Sequence, residues 1–400
     1  MTFSVLLWAL VWGGIFTGPE NLVPFPSIHD RLALIQGLRA LFPVVAAYVC
    51  LIWALAARAR FRYGATTLGL LVFYGGLGLV SSIAFSPDPW TAAYWCSAYL
   101  APLLVCWFVI ERPEPLSILR VILRANNAII VLLLLAVLPE AARYGFGRTT
   151  RYMMYTMPFG LGEVRANGVG RYAVIVLILA LVSLAASRPA KRLLWLPLVV
   201  PALFVLMQTQ SRTALLGLAV AGMLFVVVRG VNLRFLLAGP VAAYAIWMSG
   251  FTWRAKGDLG SLVFLTGRET TWQKGLAKIG ESPFFGWGFH ADRILLDSQH
   301  MHNSYLHAGI QAGVIGALLF AAAVTVLWTF LWKSGALRRI RTAGGDDRTL
   351  LTQAALILGF LTSRSFFEST AAFYGVDLLL FVPAVCYIYQ WALENPAPEP

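Results

Sequence analysis

Arg268 and His302 have 33 residues between them, in a stretch rich in Arg, Lys, Gly and His within an otherwise apolar chain. Thr266-Gly267-Arg268-Glu269 fits a capping box, with Thr266 as N-cap and Glu269 at the third helical position. Arg268 then stands in a first helical turn, where unpaired backbone N–H groups and the helix dipole already favour an anion. This helix sets Trp272, Leu276 and Ile279 on one apolar face and Lys274 and Lys278 elsewhere, the pattern of a short helix on a membrane surface, ended by Gly280 and Pro283. At the far end Asn303 or Ser304 caps the next helix, so His302 comes just before a helix N-terminus. Such a position disfavours imidazolium and biases the ring towards its neutral, basic form. An arginine for anions and a neutral histidine for protons are the parts of a group-transfer site.

Other residues extend the candidate site. Arg212 follows Gln208, Gln210 and Ser211 and opens an apolar run. The ordinary reading is an interfacial arginine that snorkels to water; the polar residues ahead of it favour a site, since ionisable groups at membrane depth usually serve one. Arg165 and Arg171 flank Ala166-Asn167-Gly168-Val169-Gly170, with Arg171 opening a span, and one of the two is expected to face a cavity. Arg364 and Glu368 lie at the end of another span. The expected catalytic set is His302, Arg268 and Arg212, and the expected substrate-binding set is Arg165, Arg171, Gln210, Arg364 and Asn303. His290 and His300 are weaker candidates, compatible with facing solvent. A metal site built from His290, His300 and His302 is disfavoured, because no nearby acid or cysteine completes a usual ligand set. No cofactor is expected. Phe285-Gly286-Trp287-Gly288-Phe289 reads as a tight turn, and Gly309, Gly313 and Gly316 as a small-residue face for close helix packing.

The elements that must position these residues are membrane helices. A composition of 59% hydrophobic and 12% charged residues excludes an ordinary soluble domain, and apolar runs of about 20 residues predict an all-α polytopic membrane protein. The formal charge of +13 does not point to nucleic acid, because the basic residues sit in short loops between the runs. Cys50, Cys96, Cys106 and Cys386 all fall in apolar segments without ligand spacing and read as packing residues. The N-terminus lacks a basic region and Gly18-Pro19-Glu20 is a weak cleavage context, so the first apolar segment is expected to be retained. About twelve spans are expected: Phe3–Phe16, Leu32–Ala57, Thr66–Phe85, Thr91–Ile110, Leu116–Leu138, Tyr172–Ala186, Leu193–Met207, Thr213–Val228, Leu233–Gly250, Ser304–Trp332, Leu350–Phe366 and Tyr374–Leu393. They form a single integral membrane domain over 1–400, with a main outer loop at 251–303 carrying short helices, a second outer loop at 139–171 and a disordered tail at 395–400.

With both termini in the cytoplasm, every inward loop is basic: Arg58, Arg60 and Arg62; Arg112; Arg188, Lys191 and Arg192; Arg229 and Arg234; then Lys333, Arg338, Arg339, Arg341 and Arg348. The outward loops break the rule at Arg143, Arg148, Arg151, Arg165, Arg171, Arg212, Arg254, Lys256, Arg268, Lys274, Lys278, Arg293 and Arg364. Cations that oppose the topology signal require another reason, and an anionic ligand at the outer face supplies one. No internal repeat and no interrupted span is visible, which weighs against a transporter.

Thr266-Gly267-Arg268-x-x-x-Trp272, Ser282-Pro283-x-x-Gly286-x-Gly288, His302-Asn303-Ser304-Tyr305-Leu306 with Gly313-x-x-Gly316, and Ser211-Arg212-Thr213-Ala214 upstream resemble the O-antigen ligase and polymerase superfamily. The resemblance covers residues 205–320; the first 140 residues match only in hydropathy. It implies a metal-independent inverting glycosyltransferase of the bacterial inner membrane. Such an enzyme moves a glycan from undecaprenyl diphosphate to an acceptor hydroxyl at the outer leaflet. Arg212 and Arg268 match arginines assigned to the diphosphate, and His302 the histidine assigned to the acceptor. The acceptor is another lipid-linked glycan in polymerases and lipid A–core in ligases; the compact Arg268–His302 spacing looks more like polymerases. A polysaccharide chain-length regulator is a further implied partner.

Overall fold

The structure, a computed structural model, describes residues 1–22, 31–61, 64–144, 154–158, 162–186, 195–230 and 268–396. Its helices in chain order are α1 (Thr2–Gly13), α2 (Arg31–Ala56), α3 (Thr67–Ala84), α4 (Pro89–Ile110), α5 (Pro115–Tyr144), α6 (Ala166–Ala186), α7 (Leu196–Thr209), α8 (Arg212–Arg229), α9 (Arg268–Glu281), α10 (Ala291–Leu295), α11 (Ser304–Lys333), α12 (Ala336–Arg339), α13 (Gly345–Arg364) and α14 (Val376–Glu394). Among the described residues, eight of them, α2 to α6, α8, α11 and α14, are long and apolar enough to cross a membrane. α1 and α7 are shorter apolar helices, and α13 opens on Asp346 and Asp347. The protein is therefore an all-α polytopic membrane protein. Every expected span except the ninth falls on one of these helices. The ninth, Leu233–Gly250, lies outside the described residues, as do Thr266, Arg254 and the basic loop at 187–194.

Local chemistry sets several boundaries. Asp88 caps α4, its carboxylate accepting from Thr91 N at 3.2 Å, with Pro89 at the first helical position. Ser211 caps α8 by accepting from Ala214 N. α6 begins at Ala166, earlier than expected, so Arg171 stands beyond its first turn rather than opening it. A short antiparallel pair precedes it, β1 (Met154–Thr156) with β2 (Glu163–Arg165), which the hydropathy pattern did not foreshadow. Inside the bundle, polar groups are satisfied by one another, as hydrocarbon demands. Asn126 of α5 accepts from the indoles of both Trp8 and Trp12 at 2.8 Å and donates to Leu379 O at 2.8 Å, tying α1, α5 and α14 together.

Span ten is interrupted, contrary to the sequence reading. Within α11, Ala312 and Gly313 leave helical geometry, Gly313 with φ of 67°. The freed backbone groups are met by the loop after α9: Trp287 N donates to Ile310 O at 2.7 Å, Gly288 N to Gln311 O at 3.0 Å, and Val314 N to Pro283 O at 2.7 Å. Gly309 does pack closely, against Ile279, but Gly313 serves the break rather than a smooth helix face. Phe289, at the end of the same loop, is buried against Tyr74, Tyr99 and the bare backbone of Gly78. The loop thus plugs the bundle and fixes the upper part of α11, which begins two residues after His302.

Candidate functional site

α9 supplies the first site residue. Its buried face is Thr271 and Gly275, with Trp272 and Ile279 partly covered. Leu276 is 54% exposed, so the expected face is rotated. The cause is Met301: its side chain fills the space beside Gly275, and its carbonyl accepts from the Trp272 indole at 2.8 Å. Arg268 is the first described residue of this helix and is turned inward, with 17% of its side chain exposed.

Asn303 is the cap of α11; its side-chain oxygen accepts from Tyr305 N at 3.0 Å and Leu306 N at 2.9 Å. Its amide nitrogen donates to Phe366 O at 3.1 Å. Ser304 is not the cap but reaches Glu368 O and Thr370 O at 3.0 and 2.7 Å. The segment after α13 is thereby strapped to the start of α11. His302, one residue before the cap, adopts φ of 49°, a left-handed conformation that is uncommon outside glycine. It is held there from both sides, by the Trp272 bond to Met301 O and by the Asn303 cap.

The strap delivers a residue that sequence reasoning did not select. The Glu368 carboxylate accepts from His302 Nδ1 at 2.9 Å through Oε2, and from Arg268 Nη2 at 2.9 Å and Asn167 Nδ2 at 2.8 Å through Oε1. Arg268 Nη1 also donates to Phe367 O. Burial alone would raise the Glu368 carboxyl. The His302 hydrogen bond and the Arg364 and Arg268 charges overcome it and hold the group well below the usual carboxylate range. Glu368 is therefore ionised, and an ionised acceptor on Nδ1 fixes that nitrogen as the protonated one. Nε2 is left as the ring's available base. The available signal was that Glu368 is one of only 18 acids and follows Arg364 at a span end.

Behind this group lies a second ionic cluster. Asp377 accepts from Arg171 at 2.8 Å and from Arg364 at 2.9 Å, and Arg364 also reaches Asn167 O at 3.5 Å. Of the flanking pair, Arg171 points inward and Arg165 is exposed on β2. Three guanidiniums, Arg171, Arg268 and Arg364, thus face two carboxylates, Glu368 and Asp377, a net positive charge in a half-buried setting. The start of α8 abuts the same region: Ser211 lies against Gly170, one turn after Asn167, which brings Arg212 to this side of α6. Gln210, buried at the end of α7 with φ of 46°, makes the turn between the two helices.

Among the described residues the remaining histidines are buried or half-buried. His290 stacks on Trp95 with ring centroids 5.4 Å apart. His300 Nδ1 is 3.3 Å from Asp292, and its Nε2 contacts Arg293. His307 stacks on Phe373 and lies 3.6 Å from the other oxygen of Asp292. An acid does stand beside His300, then, contrary to the sequence reading. Among the described residues, however, no group of three or more His, Cys, Asp or Glu side chains is arranged to hold a metal ion.

This geometry places three guanidiniums beside a histidine held by a carboxylate. Residues 197–321 match the family described as O-antigen ligase. An O-antigen ligase of Pseudomonas aeruginosa is 32% identical over 152 residues, covering 35% of each chain. The match thus spans about a third of that relative's length. Arg212, Arg268 and His302 all fall inside the family-matched stretch, whereas Glu368 lies beyond it. Over residues 197–321, then, the chain is similar to the O-antigen ligase family.

Proposed function

We propose that this protein is an inverting glycosyltransferase of the bacterial inner membrane. It moves a glycan from undecaprenyl diphosphate to an acceptor hydroxyl at the periplasmic face, without a metal or cofactor. The observation that carries this reading is the shared carboxylate: one buried Glu368 holds both a proton acceptor, His302, and a phosphate-type cation, Arg268. His302 Nε2 takes the proton of the acceptor hydroxyl. The hydroxyl oxygen bonds to the anomeric carbon from the face opposite the diphosphate, inverting it. The bond from that carbon to the diphosphate oxygen breaks, and the electron pair leaves with the diphosphate. Arg268 and Arg212 neutralise the departing charge by forked hydrogen bonds. Arginine does not release a proton at neutral pH, so its part is electrostatic. Asn303, Arg171 and Arg364 shape the site: the first caps α11, and the others clamp Asp377 behind Glu368.

The basic loops support a topology with both termini in the cytoplasm and 251–303 and 139–171 in the periplasm, within one membrane domain. Two acceptors fit. The names of the matched family and relative favour lipid A–core, whereas the compact Arg268–His302 spacing favours a growing glycan, with a chain-length regulator as partner. A second class of function, a lipid-linked glycan flippase, is favoured by the interrupted α11. Purified protein in detergent, given undecaprenyl-diphosphate glycan with and without lipid A–core, decides among them. Release of undecaprenyl diphosphate without a bilayer is the expected result. Dependence on lipid A–core marks a ligase, and lengthened glycan without it a polymerase. An unconsumed donor in both reactions would rule out the transferase.

A further inference from the structure

We propose that Glu368 is a shared counter-ion that makes donor binding and proton removal interdependent. It holds both Arg268 and His302, and a diphosphate that draws Arg268 away leaves more of the carboxylate's charge to His302. The inference rests on the diphosphate reading of the site and adds an order of events to it.

The geometry behind it is an unequal competition for one negative charge. Oε1 is taken by Arg268 Nη2 at 2.9 Å and Asn167 Nδ2 at 2.8 Å, while Oε2 serves His302 Nδ1 at 2.9 Å. Glu368 is buried, so little water screens these contacts. The charged groups that face His302 are Glu368 from the strap and Arg268 from α9. Arg364 of α13 lies behind Glu368, His300 lies with its ring centroid 6.0 Å away, and the Asp292–His307 pair lies beyond. Arg268 and His302 are the two that bond directly to the carboxylate. A positive charge on Arg268 opposes a proton on His302, and both draw on the same acceptor. A diphosphate that offsets the Arg268 charge removes that opposition. His302 then becomes a stronger base once the leaving group is in place, and an acceptor that arrives first meets a weaker one. Linkage is reciprocal. A proton on His302 tightens the hold on the product diphosphate until that proton departs.

Glu368 also competes with the diphosphate for Arg268, and this gives an unusual signature. The test is equilibrium binding of undecaprenyl diphosphate, which carries no sugar and cannot turn over, to the full chain in detergent. Glu368→Gln keeps the shape and an acceptor atom but loses the charge. At about pH 8 the variant is expected to bind roughly fivefold or more tightly than wild type, while glycan transfer falls. Glu368→Asp, which keeps the charge, should return affinity towards wild type and serves if the first variant does not fold. Equal or weaker binding in folded Glu368→Gln overturns the coupling. Absence of undecaprenyl diphosphate binding in wild type overturns the diphosphate reading as well, and so is told apart from a failure of coupling alone.

Discussion

Gly286 presses against the break in α11 so closely that a Cβ there would lie 2.5 Å from the amide nitrogen of Gly313. Its φ of 69° is also one that L side chains rarely adopt. Gly286→Ala is therefore expected to cost roughly 1–3 kcal/mol in backbone strain alone. It should also loosen the junction that sets the upper part of α11. Gly280→Ala is the control, because a Cβ there meets nothing within 4 Å. Thermal melts in detergent should show a clear drop for the first variant and no drop for the second. Equal melts would mean that the loop does not hold the break.

The arginines make separable predictions. If Arg268 and Arg212 hold the diphosphate, replacing either by Ala removes charge-assisted bonds worth roughly 1.5–3 kcal/mol, or about ten- to a hundredfold in donor use. Arg212→Lys should recover little if the contact is forked. Arg268→Ala also strips a partner from the buried Glu368 and should lower stability, whereas Arg165→Ala, on the exposed strand, should not. Donor affinity and melting temperature measured on the same samples separate the two effects. Wild-type transfer by Arg212→Ala at normal membrane levels would return that residue to an interfacial role.

How far the sequence could lead is clearest at four positions. His302 and Asn303 were readable because capping is local: a polar residue before an apolar run has few other uses. Glu368 was not, because its partner His302 lies 66 residues away and they meet only after the strap folds back over α11. Hydropathy carries no record of such a return. Gly313 shows a different limit. Small residues four apart suit both a smooth packing face and a broken helix. The choice is made by backbone N–H groups of residues 287 and 288, whose hydrogen bonds substitute for the missing turn. The spans themselves were legible because about twenty apolar residues have only one stable form in lipid.

His302→Ala tests chemistry against binding. General-base assistance contributes typically about 10²–10⁴ in rate, so transfer should fall by that factor. The protein should still insert and bind the lipid diphosphate to within several-fold of wild type. His290→Ala, remote from Glu368 and stacked on Trp95, should lose far less. Single-turnover transfer and donor binding on one preparation are the measurements required. If binding vanishes together with turnover, His302 is a ligand or a structural element rather than the base.

His300 predicts a pH dependence of stability. Burial pushes its imidazole down to about 4, with Asp292 opposing the shift and Arg293 assisting it. The folded protein thus binds fewer protons at this ring than the unfolded chain does between that value and the ordinary one, about 6.5. Stability from this source is complete above about pH 6.5 and falls as the pH drops towards about 4. The depressed carboxyls of Asp292 and Glu368 act in the same direction but in a lower window, below the usual carboxylate range. Melting temperature in detergent should therefore decline on acidification through the histidine window. In His300→Gln, which does not titrate there, the decline should be shallower. An identical slope in the two proteins would show that His300 binds protons alike in the folded and unfolded states, and that its burial does not depress it.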